Sequence, residues 1–132
     1  MAGELILIVD DEPSIRKLLS GHLLRRGYQV VVARDGTEAL RFFEEETPNL
    51  LITDVNMPRL GGLDLLRQLK AAGLLGPKTA TMIISGTKSL APTRGDPVAV
   101  DDSLTKPIDM AEFSLRVKRV LRLAAQRAGA AE

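Results

Sequence analysis

"ELILIVDDEP", residues 4–13, sets both the fold and the question of function. Leu5 to Val9 is an unbroken run of branched apolar residues. That is the pattern of a strand covered on both faces rather than one with a wet side. Asp10, Asp11 and Glu12 follow without a spacer, and Pro13 then suits the first turn of a helix. A buried strand that stops on acids leaves carboxylates at a sheet edge. Each of them costs free energy unless a cation, a hydrogen bond or water answers it.

The same alternation of strand and helix continues along the chain. "PSIRKLLSGHLLRR" (13–26) has Ile15, Leu18, Leu19 and Leu23 at helical spacing, with Gly27 suited to its end. "YQVVVA" (28–33) reads as a second strand, and "TEALRFFEEE" (37–46) as a helix with Ala39, Leu40 and Phe43 inward. "NLLIT" (49–53) is a third strand, "LDLLRQLKAA" (63–72) a third helix closed by Gly73, and "TATMIIS" (79–85) a fourth strand. "VDDSL" (100–104) is a weaker fifth strand. The last helix, 110–128, carries Phe113, Val117, Val120, Leu121 and Ala124 on one face, and Asp109 with Glu112 forms an Asp-x-x-Glu start. Strands alternating with helices argue a doubly wound α/β domain with a parallel sheet. Residues 1–128 are expected to form one domain, with a frayed Ala-rich tail over 129–132.

Composition excludes several classes. With 18 Lys and Arg against 17 Asp and Glu, the net charge is +1, which argues against a dedicated nucleic-acid or membrane surface. There is no Cys, so disulfides and thiolate metal sites are ruled out. No apolar run approaches the ~18 residues of a membrane span. The start lacks the basic and apolar regions of a signal peptide, and a cytoplasmic location is expected.

In a parallel sheet of this kind, ligands bind at the carboxyl ends of the strands. The third strand runs into "TDVNMP", which puts Asp54 at its end; the fourth ends on Ser85-Gly86, and the fifth on Thr105-Lys106-Pro107. Carboxylates, a hydroxyl and an ammonium thus converge on one edge. Without a partner the acids would repel one another. Oxygen ligands with no His or Cys nearby match Mg²⁺, with Mn²⁺ as a substitute. Lys106 suits a phosphoryl oxygen as a point charge, and Ser85 suits another as a donor. The set fits phosphoryl transfer to a carboxylate.

Four motifs, "LIVDDEP", "TDVNMPRLGG", "MIISGT" and "LTKP", stand in this order on alternate elements. Through them the chain resembles a response regulator receiver domain of two-component signalling. The resemblance implies a flavodoxin-like fold of five parallel strands in the order 2-1-3-4-5. It implies Asp54 as phosphoacceptor, with Asp11 and Asp54 as direct Mg²⁺ ligands joined by the backbone carbonyl of Asn56, and Asp10 acting through a water. Ser85 and Thr87 become switch hydroxyls, Lys106 the lysine that pairs with Asp54 and then with the phosphoryl group, and Lys106–Pro107 a cis bond. The implied partners are a histidine kinase or phosphotransfer protein as donor and a downstream protein as target. Direct binding of nucleic acid or membrane is not expected, and the expected state is monomer or weak dimer. Such a regulator is no enzyme beyond its own phosphorylation and dephosphorylation.

Plainer readings stand beside these. Asp10 or Asp11 also reads as a helix N-cap, Asp54 as a turn residue, Ser85 as a strand end and Lys106 as a solvated loop lysine. His22 has no acidic or Cys partner at ligand spacing and reads as an ordinary surface or boundary residue. The basic residues Arg116, Lys118, Arg119, Arg122 and Arg127 read as a solvated face or a docking surface for an acidic partner. A dinucleotide fold would want Gly-x-Gly-x-x-Gly after the first strand, and an aspartyl phosphatase Asp-x-Asp; neither is present. The remaining rival is a receiver-fold interaction module that works without phosphate. It draws on a departure from the family, since Ser103 stands where Tyr or Phe is common. Pro92, Gly95 and Pro97 in "GTKSLAPTRGDPVAVDDS" (86–103) further predict an irregular or shortened fourth helix over 86–98.

Overall fold

The computed structural model describes residues 3–86 and 100–131. In chain order these form β1 (Leu5–Val9), α1 (Pro13–Arg25), β2 (Gln29–Ala33), α2 (Gly36–Glu45), β3 (Leu50–Asp54), α3 (Gly62–Ala71), β4 (Ala80–Ser85), β5 (Asp102–Thr105) and α4 (Met110–Ala131). The strands make one sheet in the order β2-β1-β3-β4-β5, and every neighbouring pair is parallel. β1 is flanked on both sides, with Ile8 opposite Val32 of β2 and Ile52 of β3. The order reverses direction between β1 and β3. The crevice beyond the carboxyl ends of those two strands is therefore the place for a ligand.

Side-chain alternation sorts the core into two layers. Ile6, Ile8, Leu50, Ile52, Met82, Ile84 and Leu104 project to one face, where Leu19 and Leu23 of α1 and Phe113, Val117, Val120 and Leu121 of α4 cover them. Leu7, Val9, Leu51 and Ile83 project to the other, against Ala39 and Phe43 of α2 and Leu65, Leu66 and Leu69 of α3. This two-sided burial is why the central strands read as continuous apolar runs. β2, at an edge, is the exception: Val32 is 46% exposed.

Several expectations need correction. Leu18 does not face the core but is 46% exposed. The inward stripe of α1 runs through Leu19 and Leu23 and takes in His22, which is buried. His22 Nε2 meets Ser114 Oγ of α4 at 2.8 Å, and its ring packs against Phe113 with centroids 5.8 Å apart. Burial, with Arg26 and Arg25 nearby, lowers the pKa of His22 below its usual value. α4 continues to Ala131 rather than ending at 128, as alanines there favour helix. Its start is half a capping box: Asp109 Oδ1 accepts the Glu112 N–H at 3.0 Å, while the Glu112 carboxylate pairs with Arg116 at 2.7 Å. Arg116 and Arg127 are not simply solvated. Arg116 reaches Asp102 at 2.6 Å, and Arg127 holds Asp101 through both nitrogens at 2.6 and 3.1 Å. The irregular segment expected over 86–98, with Thr87, lies outside the described residues apart from Gly86.

Candidate phosphoryl site

β1 and β3 each deliver one buried carboxylate to the crevice. Asp10, one residue past β1, is 1% exposed, and Asp54, the last residue of β3, is 4% exposed. Local hydrogen bonds fix both. Asp10 Oδ1 accepts the Glu12 N–H at 2.9 Å, and Asp54 Oδ1 accepts the Asn56 N–H at 3.1 Å. The Asp10 backbone carbonyl takes a guanidinium N–H of Arg16 at 2.6 Å. The approach of α3 to β3 is equally tight. A Cβ at Gly62 would collide with the backbone carbonyl oxygen of Asp54, so the residue there must be Gly for the strand end to keep its place.

Lys106 enters from the end of β5, after its N–H bonds the Ser85 carbonyl at 2.8 Å. Its ammonium lies 2.9 Å from Glu12 Oε1, 3.2 Å from Asp54 Oδ2 and 3.5 Å from Asp10 Oδ2. Burial pulls the Lys106 pKa down, but the hydrogen bond to Glu12 and the charges of Asp10 and Asp54 outweigh it. The ammonium is thus held above the usual lysine range and stays charged. Burial raises the Asp10 pKa, opposed by the Glu12 N–H and reinforced by Asp54. Ser85 is buried at the end of β4, next to β3 in the sheet. The Lys106–Pro107 bond is cis.

Carboxylate oxygens of Asp10, Glu12 and Asp54 all lie within 4.8 Å of one another. When all three are ionised, the Lys106 ammonium is their one ion-pair partner among the described residues, which leaves an excess of negative charge there. Asp10 Oδ2 is also buried, with no hydrogen-bond partner among the described residues and only the Lys106 ammonium, at 3.5 Å, facing it as an ion-pair partner. Hard oxygen donors, an excess of negative charge and a buried carboxylate oxygen without a hydrogen bond together fit a divalent cation such as Mg²⁺. Asp11, expected among the ligands, is exposed and outside this cluster. Glu12 stands in the cluster because its side chain turns inward to Lys106 from the N-cap position of α1. The run of three acids was the only signal for it. Asn56 is exposed just beyond Asp54, and Thr87 lies outside the described residues.

No helix among the described residues is long and apolar enough to cross a membrane. Residues 6–118 match the family described as the response regulator receiver domain. The chain is 40% identical to the alkaline phosphatase synthesis transcriptional regulatory protein PhoP of Bacillus subtilis, over 89% of this chain and 48% of that protein. It is 38% identical to the transcriptional regulatory protein KdpE of Mycobacterium tuberculosis, over 89% of this chain and 51% of that protein. The chain thus spans about half the length of these relatives. Among solved structures it is similar to the response regulator protein TrrA of Thermotoga maritima in complex with Mg²⁺-BeF. That match has a TM-score of 0.76 and 29% identity, and covers 89% of this chain and 98% of that one. With a family match over most of its length and close relatives among response regulators, the chain belongs to the response regulator receiver domain family.

Proposed function

We propose that this chain is a phosphoacceptor switch that takes a phosphoryl group onto Asp54, from a phosphohistidine donor or a small acyl phosphate, and thereby changes its binding to a downstream protein. One observation carries the reading: a buried carboxylate at the end of the central strand, 3.2 Å from a lysine ammonium and inside a carboxylate cluster. A buried acid in such a cluster does little for stability, since desolvation offsets the ion-pair attraction. It does place a nucleophile beside groups that answer phosphoryl charge.

In the transfer, an oxygen of the Asp54 carboxylate forms a bond to phosphorus. The bond from phosphorus to the donor's nitrogen or acyl oxygen breaks, and the leaving group keeps the electron pair. Lys106 is already charged and aimed at Asp54, so it balances the phosphoryl oxygens without a proton transfer. Ser85 supplies a hydroxyl to the same product. Mg²⁺, when bound, would neutralise phosphoryl charge. Asp10 and Asp54 would hold it, with the backbone carbonyl of Asn56 and one further acid, Asp11 or Glu12. Glu12 is engaged with Lys106, and Asp11 is free to rotate in from the surface. The site of action is the cytoplasm, with a histidine kinase or phosphotransfer protein as the donor.

A second reading, an interaction module independent of phosphate, draws on Ser103. This residue is exposed on β5 and has no aromatic ring to carry a rotamer switch. One experiment separates the two. Wild type incubated with a small acyl phosphate and Mg²⁺ is expected to gain one hydroxylamine-labile phosphoryl group. Asp54→Asn is expected to gain none, Asp11→Ala to be impaired, and Lys106→Ala to label slowly. Wild-type labelling of Asp54→Asn would remove the proposed nucleophile.

A further inference from the structure

The loop between β3 and α3 carries Asn56, and the start of α2 grips that loop at two adjacent points. Arg59 Nη2 lies 2.9 Å from Asp35 Oδ2. One residue further, Leu60 lies so close on Gly36 that an added Cβ there would come within 2.7 Å of the Leu60 side chain. Asp35 is itself fixed, because its Oδ1 accepts the Glu38 N–H at 3.0 Å as the N-cap of α2. The Glu38 N–H, and then Arg59, hold the Asp35 pKa below the usual carboxylate range. Arg59 needs such a grip: its φ is 69°, the left-handed region that a long side chain rarely adopts. Between this anchor and the nucleophile the loop has little slack. Leu60 N–H bonds Pro58 O at 2.8 Å, Gly62 N–H bonds Val55 O at 3.1 Å, and Asn56 N–H bonds Asp54 Oδ1 at 3.1 Å.

We propose that Asp35 and Arg59 are positioning residues for the phosphoryl site: their ion pair holds the β3–α3 loop in the form that presents the Asn56 backbone to Asp54 and to the cation. The inference rests on the proposed function and adds a regulating contact to it. Stability is a poor reason for this pair. The Arg59 side chain is 74% exposed, and exposed ion pairs add little to folding. Its effect is on the local geometry of a ligand-bearing loop, in the way outer groups orient the ligands of metal sites.

Two variants keep the backbone content. Asp35→Asn retains an oxygen that caps α2 but loses the charge that meets Arg59. Arg59→Asn retains a residue that tolerates left-handed backbone but cannot reach Asp35. Mg²⁺ is titrated into the full chain by calorimetry, and initial rates of labelling by a small acyl phosphate are taken across Mg²⁺ concentrations. Each variant is expected to raise the Mg²⁺ concentration for half-maximal rate by about tenfold, with a smaller loss of rate at saturating Mg²⁺. The double variant is expected to be no worse than either single, and Arg59→Lys to restore part of the loss. Wild-type Mg²⁺ dependence in both singles, or a double effect equal to the product of the two, would overturn the proposal. A wild type that neither binds Mg²⁺ nor accepts a phosphoryl group would overturn the underlying function instead, and this proposal with it.

Discussion

Gly62→Ala tests how closely fold and site are joined. The added methyl would sit against the Asp54 carbonyl oxygen, with the Asp54 carbonyl carbon and Thr53 Cγ2 each 3.1 Å away. Two of these contacts are backbone of the central strand, so the strain cannot be relieved by turning a side chain. Overpacking of this kind typically costs about 1–3 kcal/mol. The helix preference of Ala over Gly recovers up to ~1 kcal/mol, and less at a first helical turn. The net expectation is a loss of about 1–2 kcal/mol, or roughly 4–8 °C in Tm for a chain of this length. Urea and thermal unfolding followed by far-UV circular dichroism measure it. Gly21→Ala is the control: it lies inside α1, and an added Cβ would meet only the flexible end of Arg25, at 3.4 Å. That variant is expected to gain about 0.5–1 kcal/mol. Since the displaced atoms belong to Asp54, Gly62→Ala is also expected to slow labelling by an acyl phosphate more than its stability loss explains. A Gly62→Ala protein as stable as Gly21→Ala would refute the close approach of α3 to β3.

Asp35→Ala removes the α2 cap and is expected to cost about 1 kcal/mol at neutral pH. The Asp35 pKa is depressed in the fold, so its stabilisation is fully present above the unfolded value of 3.8 and is lost as pH falls through the folded value. The stability gap between wild type and Asp35→Ala is therefore expected to be constant from neutral pH down to the region of 4 and to close below it; urea melts across pH check this. Phe113→Ala empties a fully buried site between α4 and the sheet and is expected to cost about 3–5 kcal/mol, read as a lower urea midpoint with unchanged slope.

Much of this was readable from sequence because the sheet buries both faces. β1, β3 and β4 read as short apolar runs, and parallel pairing puts their ends on one edge. Asp10, Asp54, Ser85 and Lys106 thereby share one edge on the sequence pattern alone. What escaped depended on side-chain direction and on distant partners. Glu12, the N-cap of α1, turns its side chain to Lys106, and nothing in the run of three acids says which of them does so. Leu18 and Leu19 have the same apolarity, and only the packing of α1 decides which is buried. His22 is buried because Ser114, far along the chain, supplies a hydrogen bond that no local pattern announces. The pairing of Asp101 and Asp102 with Arg127 and Arg116 and the grip of Asp35 on Arg59 likewise join elements separated in sequence.

The central claim is that Asp54 is the nucleophile. The measurement that meets it most directly is to label the chain with a small acyl phosphate and Mg²⁺, trap the acyl phosphate by borohydride reduction, and locate the modified residue by peptide mass spectrometry. The expected result is a single reduced residue, Asp54, within the peptide spanning 50–58. Modification at Asp10, Asp11 or Glu12, or no modification of any carboxylate under conditions that label another receiver domain, would contradict it.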